Sequence, residues 1–298
     1  MYHRGALLHG RSSPLEAPAK EPWWEGEALP RPSSPTAVLL EWSTIMRMSA
    51  PHGIDWHWAT TTGGNLTKEQ RRQLLTPLLR TVVGYSRTRL KLALGLRGSG
   101  ALDIDTLNWP DSALAKAAEE EARESLSPDL LAHSYRTYLF GLVLADLDHA
   151  PVDEELCYVA CLLHDLKIAT PTPGRCFAVV GGEQTERFAL DHGTPPERAA
   201  AIGAAIAAHI TPGAADDLSD PGGFVSAGAF VDVSGARLDE MRPHWVADLL
   251  SRHPRPDFKQ RLRTYWAAES AAVPAGRANW LTRSAGLPLL VRAAPFSS

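Results

Sequence analysis

Four residues of this chain could share one cation: His133, the adjacent pair His164-Asp165, and Asp232. Two imidazoles and two carboxylates make an N2O2 shell suited to Zn²⁺, Fe²⁺ or Mn²⁺, and a shell with one position left open can present water to a substrate. Neighbours in mid-helix point about 100° apart, so His164 and Asp165 converge only where a helix ends and the chain bends. Leu156, Val159, Ala160 and Leu163 form an apolar stripe that leads up to His164 and should turn it inward. An aspartate carried inside with it needs a cation or hydrogen-bond donors. Asp232 interrupts the apolar run Ala227-Gly228-Ala229-Phe230-Val231-Asp232-Val233. Its partner is open between an arginine such as Arg136 and a metal.

Other polar residues carry two readings each. Arg136, one turn after His133, would steer a polar or anionic substrate or form a surface ion pair. Lys167 would reach a phosphate or offset the negative end of a helix. His209 shares a helical face with Ile202 and Ile206 and reads as a core histidine bonded to a backbone carbonyl or as a site residue able to place water. His192, just before Gly193, suits a helix C-terminus. Cys157 and Cys161 read as small buried hydrophobes before soft metal ligands. His52 and His57 fall in a segment, 51 to 66, expected to be an aromatic loop.

The elements that must position these residues all read as helices. Thr67-Lys68-Glu69-Gln70 is a capping box, followed by Leu74, Leu75, Leu78, Leu79, Val82 and Val83 at helical spacing. Ser112 can cap a helix to about 124, and Ser127-Pro128 opens the one that carries His133. Asp153-Glu154-Glu155 places acids in the first turn of the helix ending at His164. Residues 183 to 192 predict a helix stopped by Gly193, Thr194-Pro195-Pro196-Glu197 a restart running to about His209, and 224 to 236 a helix bearing Asp232. Two more are expected over 244 to 270, broken at Pro254 and Pro256. Nothing alternates with period two, so the fold class is all-α. Residues 10 to 36, dense in proline, serine and charge, predict a flexible extension, with Val38 to Trp42 as a short docking element. The expected organisation is an N-terminal extension over 1–66, a helical domain over 67–270 and a C-terminal tail over 271–298 packing on it.

Bulk composition narrows the function classes. The chain has 298 residues, 44% hydrophobic and 21% charged, enough to bury a large core. Its 30 basic and 34 acidic residues leave a formal net charge of -4, so the whole-chain balance advertises neither nucleic acid nor anionic lipid. Three cysteines do not form a disulfide framework and fit a reducing cytosol. The first residues hold too short an apolar stretch for a signal peptide, and no run reaches the length of a membrane span. A cytoplasmic protein acting on a small molecule is expected, with no nucleic-acid or membrane partner and with homo-oligomerisation left open.

The order His133, His164-Asp165, Asp232 resembles the HD-domain superfamily of metal-dependent phosphohydrolases and related enzymes. More narrowly, Trp109-Pro110-Asp111-Ser112, His133-Ser134-Tyr135-Arg136-Thr137-Tyr138, Val159-Ala160-Cys161-Leu162-Leu163-His164-Asp165, Ala207-Ala208-His209 and Phe230-Val231-Asp232-Val233 look like its cyanamide hydratase-like branch, over roughly residues 105 to 260. The resemblance implies a helical HD bundle, the metal ligands His133, His164, Asp165 and Asp232, and His209 lining the site. It also implies hydration of a small nitrile-like substrate, as cyanamide to urea, on one divalent metal (zinc first, iron or manganese as alternatives) with no organic cofactor. A phosphohydrolase acting on a nucleotide or phosphate ester is the main alternative. Dinuclear relatives add a di-iron oxygenase, with His192 and His209 as second-metal ligands, and a non-catalytic metal-binding regulatory module completes the set. Two positions depart from that branch: Ala178 stands where it tends to carry a glutamate, and Lys167 where glycine is common.

Overall fold

The computed structural model describes residues 53–296. The proline-rich extension over 10–36, the 38–42 element and His52 lie outside the described residues.

Helices account for all the regular structure there, joined only by isolated bridges such as Asn65 to Gly276. Helix α1 (Trp56–Thr62) occupies the segment expected to be a loop. Asp55 caps it by accepting from the Trp58 amide at 2.7 Å, and Trp58 and Ala59 anchor it in the core, a tertiary contact that local composition does not announce. The capping box forms as expected at the start of α2 (Lys68–Gln73), with Thr67 and Gln70 bonded reciprocally. Helix α3 (Leu75–Ala93) follows directly, and α4 (Ala113–Ser125) begins at Ser112, whose hydroxyl accepts from the Ala115 amide.

The next helices carry the site. Helix α5 (Pro128–Asp148) has proline in its first turn and buries residues on nearly every side, so it runs through the centre of the molecule. Helix α6 (Glu154–Leu163) is capped by Asp153 and ends at His164. Helix α7 (Phe177–Asp191) starts six residues before the expected position, because Phe177, Ala178 and Val179 are buried and hold a turn that glycine and β-branched residues favour weakly on their own. Helix α8 (Pro196–Ala208) ends at His209, and the expected Thr194 cap is replaced by Pro195 with no side-chain bond. Helix α9 (Pro221–Ser234) opens three residues earlier than expected, where Asp220 caps the Gly222 and Gly223 amides. Helices α10 (Pro243–Arg252) and α11 (Phe258–Ala272) flank the break at Pro254 and Pro256, and α12 (Arg277–Ala285) and α13 (Leu287–Ala293) close the chain with Trp280, Leu281, Leu287 and Val291 buried.

Helices α5 and α9 lie along each other, and α7 lies along α8. Glycine sets both distances. A Cβ on Gly228 would sit 2.0 Å from the Thr137 carbonyl oxygen, so α9 can approach α5 only without one. Gly182 and Gly203 meet across the α7–α8 contact, where a Cβ on Gly182 would fall 2.5 Å from the Gly203 oxygen. No described helix is long and apolar enough to cross a membrane.

Candidate metal centre

Two helix segments bring three ligand atoms together. His133 projects from α5, while His164 and Asp165 sit where α6 gives way to a run of turns, the bend that adjacent ligands require. All three are buried, and their ligand atoms lie within 4.8 Å of one another. His133 Nε2 and His164 Nε2 are 3.2 Å apart; Asp165 Oδ2 is 3.4 Å from His164 Nε2 and 3.7 Å from His133 Nε2. Bonds of about 2.0–2.2 Å at tetrahedral angles place neighbouring ligand atoms about 3.3–3.6 Å apart, so this triangle has the size of one face of a metal polyhedron.

The other ring nitrogens fix the tautomers. His133 Nδ1 is 2.7 Å from Asp232 Oδ2, and an ionised carboxylate can only accept, so Nδ1 carries the proton. His164 Nδ1 donates to the Cys161 carbonyl at 2.8 Å. Both Nε2 atoms therefore present lone pairs to the space they share with Asp165, the form in which imidazole binds a metal. Burial lowers the pKa of His164 from its ordinary value, with Asp165 acting in the opposite sense.

Asp232 meets the arginine open to it from sequence. Its carboxylate accepts from Arg136 Nε and Nη2, both at 2.8 Å, and from Arg255 Nη1. It touches the cluster through His133, and it is not among the three residues whose ligand atoms converge. Burial would raise its pKa, but Arg136, Arg255 and His133 outweigh that and hold the carboxyl well below the ordinary carboxylate range.

Arg136 is fully buried, and its remaining nitrogen donates to the His253 and Pro254 carbonyls at 3.0 and 2.9 Å. It is thus neither a surface ion pair nor a group turned to substrate; its donors are spent on Asp232 and on the α10–α11 connection. His209 is a buried histidine beside the cluster. Its Nδ1 donates to the Ile206 carbonyl at 2.6 Å, while its ring lies 4.9 Å from that of His164 and lines a void beside the cluster. Burial holds its pKa well below the ordinary value. His192 is exposed at the C-terminus of α7, its Nδ1 bonded to the Phe188 carbonyl, and it takes no part in the void. Lys167 is half-buried in the turns after Asp165 and does not line the void either. The three cysteines are buried free thiols, and burial raises the pKa of Cys157 and Cys161. Asp111 precedes the residue that caps α4 and forms no part of the cluster.

The void measures about 40 Å³, and its lining includes His133, His164, Asp165 and His209. Phe177, Phe230, Trp266 and, from the closing helices, Leu281, Leu287 and Val291 complete most of the lining. Several contributors were not legible in the sequence. Arg255 lies between two prolines, where only a helix break shows, yet its guanidinium is held between the rings of Phe258 and Phe296, 4.7 and 4.5 Å from their centroids. Phe258 also packs on His133, with ring centroids 4.9 Å apart. Glu269 of α11 accepts from the Phe177 amide at 3.0 Å, so a carboxyl reaches the turn that carries Ala178 from a distant part of the chain. None of these positions has a local periodic signal, since each is defined by a contact between remote segments.

A search of the curated proteins finds no match to this chain. Residues 130–243 match the family described as HD domain, a span that begins on α5 before His133, includes His164 and Asp165, and ends beyond Asp232. HD domains are generally metal-dependent hydrolases, and the buried His133, His164 and Asp165 could hold the divalent metal that such chemistry uses. Residues 130–243 of this chain thus match the HD-domain family over the span that carries the ligand triangle.

Proposed function

We propose that this chain is a metal-dependent hydratase that adds water to a small, uncharged, nitrile-like substrate. The size of the void beside the cluster carries the reading: about 40 Å³, room for about three water molecules, lined largely by apolar side chains besides the ligands. A three-heavy-atom substrate such as cyanamide matches that space. His133, His164 and Asp165 would hold one metal, leaving further positions open. A divalent metal bound there would supply Lewis acidity, polarising the substrate or acidifying water.

The protein's own groups account for the rest. Asp232 fixes the His133 tautomer, and Arg136 and Arg255 fix Asp232. His209 keeps Nδ1 on the Ile206 carbonyl, so its Nε2 is free to accept a proton from water in the void and return it to the substrate nitrogen. A C–O bond forms, one C–N π bond breaks, and the two protons of water end on nitrogen once the adduct tautomerises. Phe177, Phe230 and Trp266 give the void an apolar wall. Asp232 as a direct ligand would require its carboxylate to leave both arginines.

The test is urea release from cyanamide by metal-loaded protein, together with amide release from small organic nitriles. Metal-dependent turnover of cyanamide or a small nitrile is expected; background rates across the set would rule the hydratase reading out. Phosphate-ester hydrolysis is the second reading, favoured by Arg263, an exposed residue on the wall of the void with no ion pair among the described residues. Phosphate release across a nucleotide panel would select it.

A further inference from the structure

The net charge of -4 conceals a segment of opposite character. From Leu74 to Leu102 the chain has five cations, Arg80, Arg87, Arg89, Lys91 and Arg97, and no acidic residue. Eight large hydrophobic side chains stand exposed among the described residues, and six of them fall here: Leu75, Leu79, Val83, Leu90, Leu94 and Leu96, each between 51 and 66% exposed. Such concentration in one element calls for a partner, whereas scattered exposed leucines do not.

Helical geometry arranges them. At about 100° per residue, Leu75, Leu79, Val83, Leu90 and Leu94 fall within about 100° of arc. Arg80 and Arg87 border one edge of this stripe and Arg89 the other. The body of the protein lies on the far side, where Leu78 and Thr88 are buried. Thr88 and Lys91 clamp that side by donating to Asp239 Oδ1 and Oδ2, each at 2.7 Å. Lys91 is thereby neutralised. Arg80, Arg87, Arg89 and Arg97 form no ion pair among the described residues.

We infer that the outer face of α3 and the residues just beyond it dock on an anionic lipid surface. An apolar stripe bordered by arginines, on the side of a helix turned away from its own domain, is the pattern that lies in a membrane interface, with leucines sunk among the acyl chains and guanidinium groups at the phosphates. Charge decides against a second copy of the chain as the occupant. Two such stripes in contact would press Arg80, Arg87 and Arg89 against their counterparts with no acid on either α3 to pair with them, whereas an anionic surface neutralises all of them.

The test is flotation of the full chain with vesicles of phosphatidylcholine alone and of phosphatidylcholine mixed with phosphatidylglycerol. Binding to the mixed vesicles, weakened by salt, is expected. The double variants Leu79→Ser/Val83→Ser and Arg80→Glu/Arg87→Glu alter only exposed side chains. Each should lower the partition coefficient about tenfold or more with the thermal midpoint unchanged. Absence of binding, equal binding to both vesicle types, or wild-type binding by both variants would overturn the inference. So would a concentration-dependent dimer that the apolar variant dissolves, in a protein that ignores vesicles.

Discussion

His133 and His164 face each other Nε2 to Nε2 at 3.2 Å, with the Nδ1 of each already committed to an acceptor. Two neutral imidazoles held this way oppose lone pair to lone pair, in a buried space where such repulsion is not screened. A proton or a cation between them resolves it. Burial disfavours the protonated form of His164, and the carboxylate of Asp165 lies beside both rings. A divalent cation is the economical solution.

Removing a ligand should therefore act on metal first. Asp165→Asn keeps the side-chain shape and removes its charge, and His164→Ala removes an imidazole. Each is expected to weaken metal affinity by about a hundredfold or more, read by competition with a chromogenic chelator. Retention of wild-type affinity in either variant would remove that residue from the ligand set.

Asp232 should behave differently. Asp232→Asn leaves Arg136 and Arg255 buried without a counter-charge, so a loss of about 3–5 kcal/mol in urea unfolding is expected. Its effect on metal affinity should be smaller, about 10- to 100-fold, because it acts through the orientation of His133. Complete metal loss with little destabilisation would instead make Asp232 a ligand.

Glu269 predicts a pH dependence of stability. Burial raises its pKa from 4.5 to about 7, against the Phe177 amide and Arg277, and its Oε2 finds no hydrogen-bond partner. The folded state thus holds the proton more tightly than the unfolded chain. That contribution is complete below about pH 4.5 and is lost as pH rises through about 7, amounting to at most about 3 kcal/mol. Chemical denaturation of Glu269→Gln across this window should show a flatter profile than wild type. An identical slope in both proteins would contradict the assignment.

Gly228 predicts a packing failure. A methyl group 2.0 Å from the Thr137 oxygen forces α9 away from α5, and with it the arginine-bound Asp232 one turn further on. Gly228→Ala should lower the thermal midpoint sharply even though alanine favours helix. An unchanged or raised midpoint would show that the two helices can separate at little cost.

How far the sequence carried follows from the range of each signal. The capping box at Thr67, the proline after Ser127 and the acids after Asp153 are local, and each marks a helix start in the structure. The HD pair at a helix end and the buried His133 were equally readable, since each sits on a helix rich in apolar residues. The pairing of Arg136 with Asp232 was legible as one of two alternatives, but its burial against the 253–254 turn was not, because that turn lies about a hundred residues away. Helix α1 and the early start of α7 are held by burial in the core rather than by propensity. The basic, leucine-lined face of α3 was hidden by averaging charge over the whole chain.

His133, His164 and Asp165 are expected to hold a metal in the purified protein. Elemental analysis of protein purified without chelators or metal-affinity resin tests this most directly. About one equivalent of zinc, iron or manganese per chain is the predicted result, falling toward zero in His164→Ala. A wild-type protein that stays metal-free after reconstitution with each of the three ions would contradict the account.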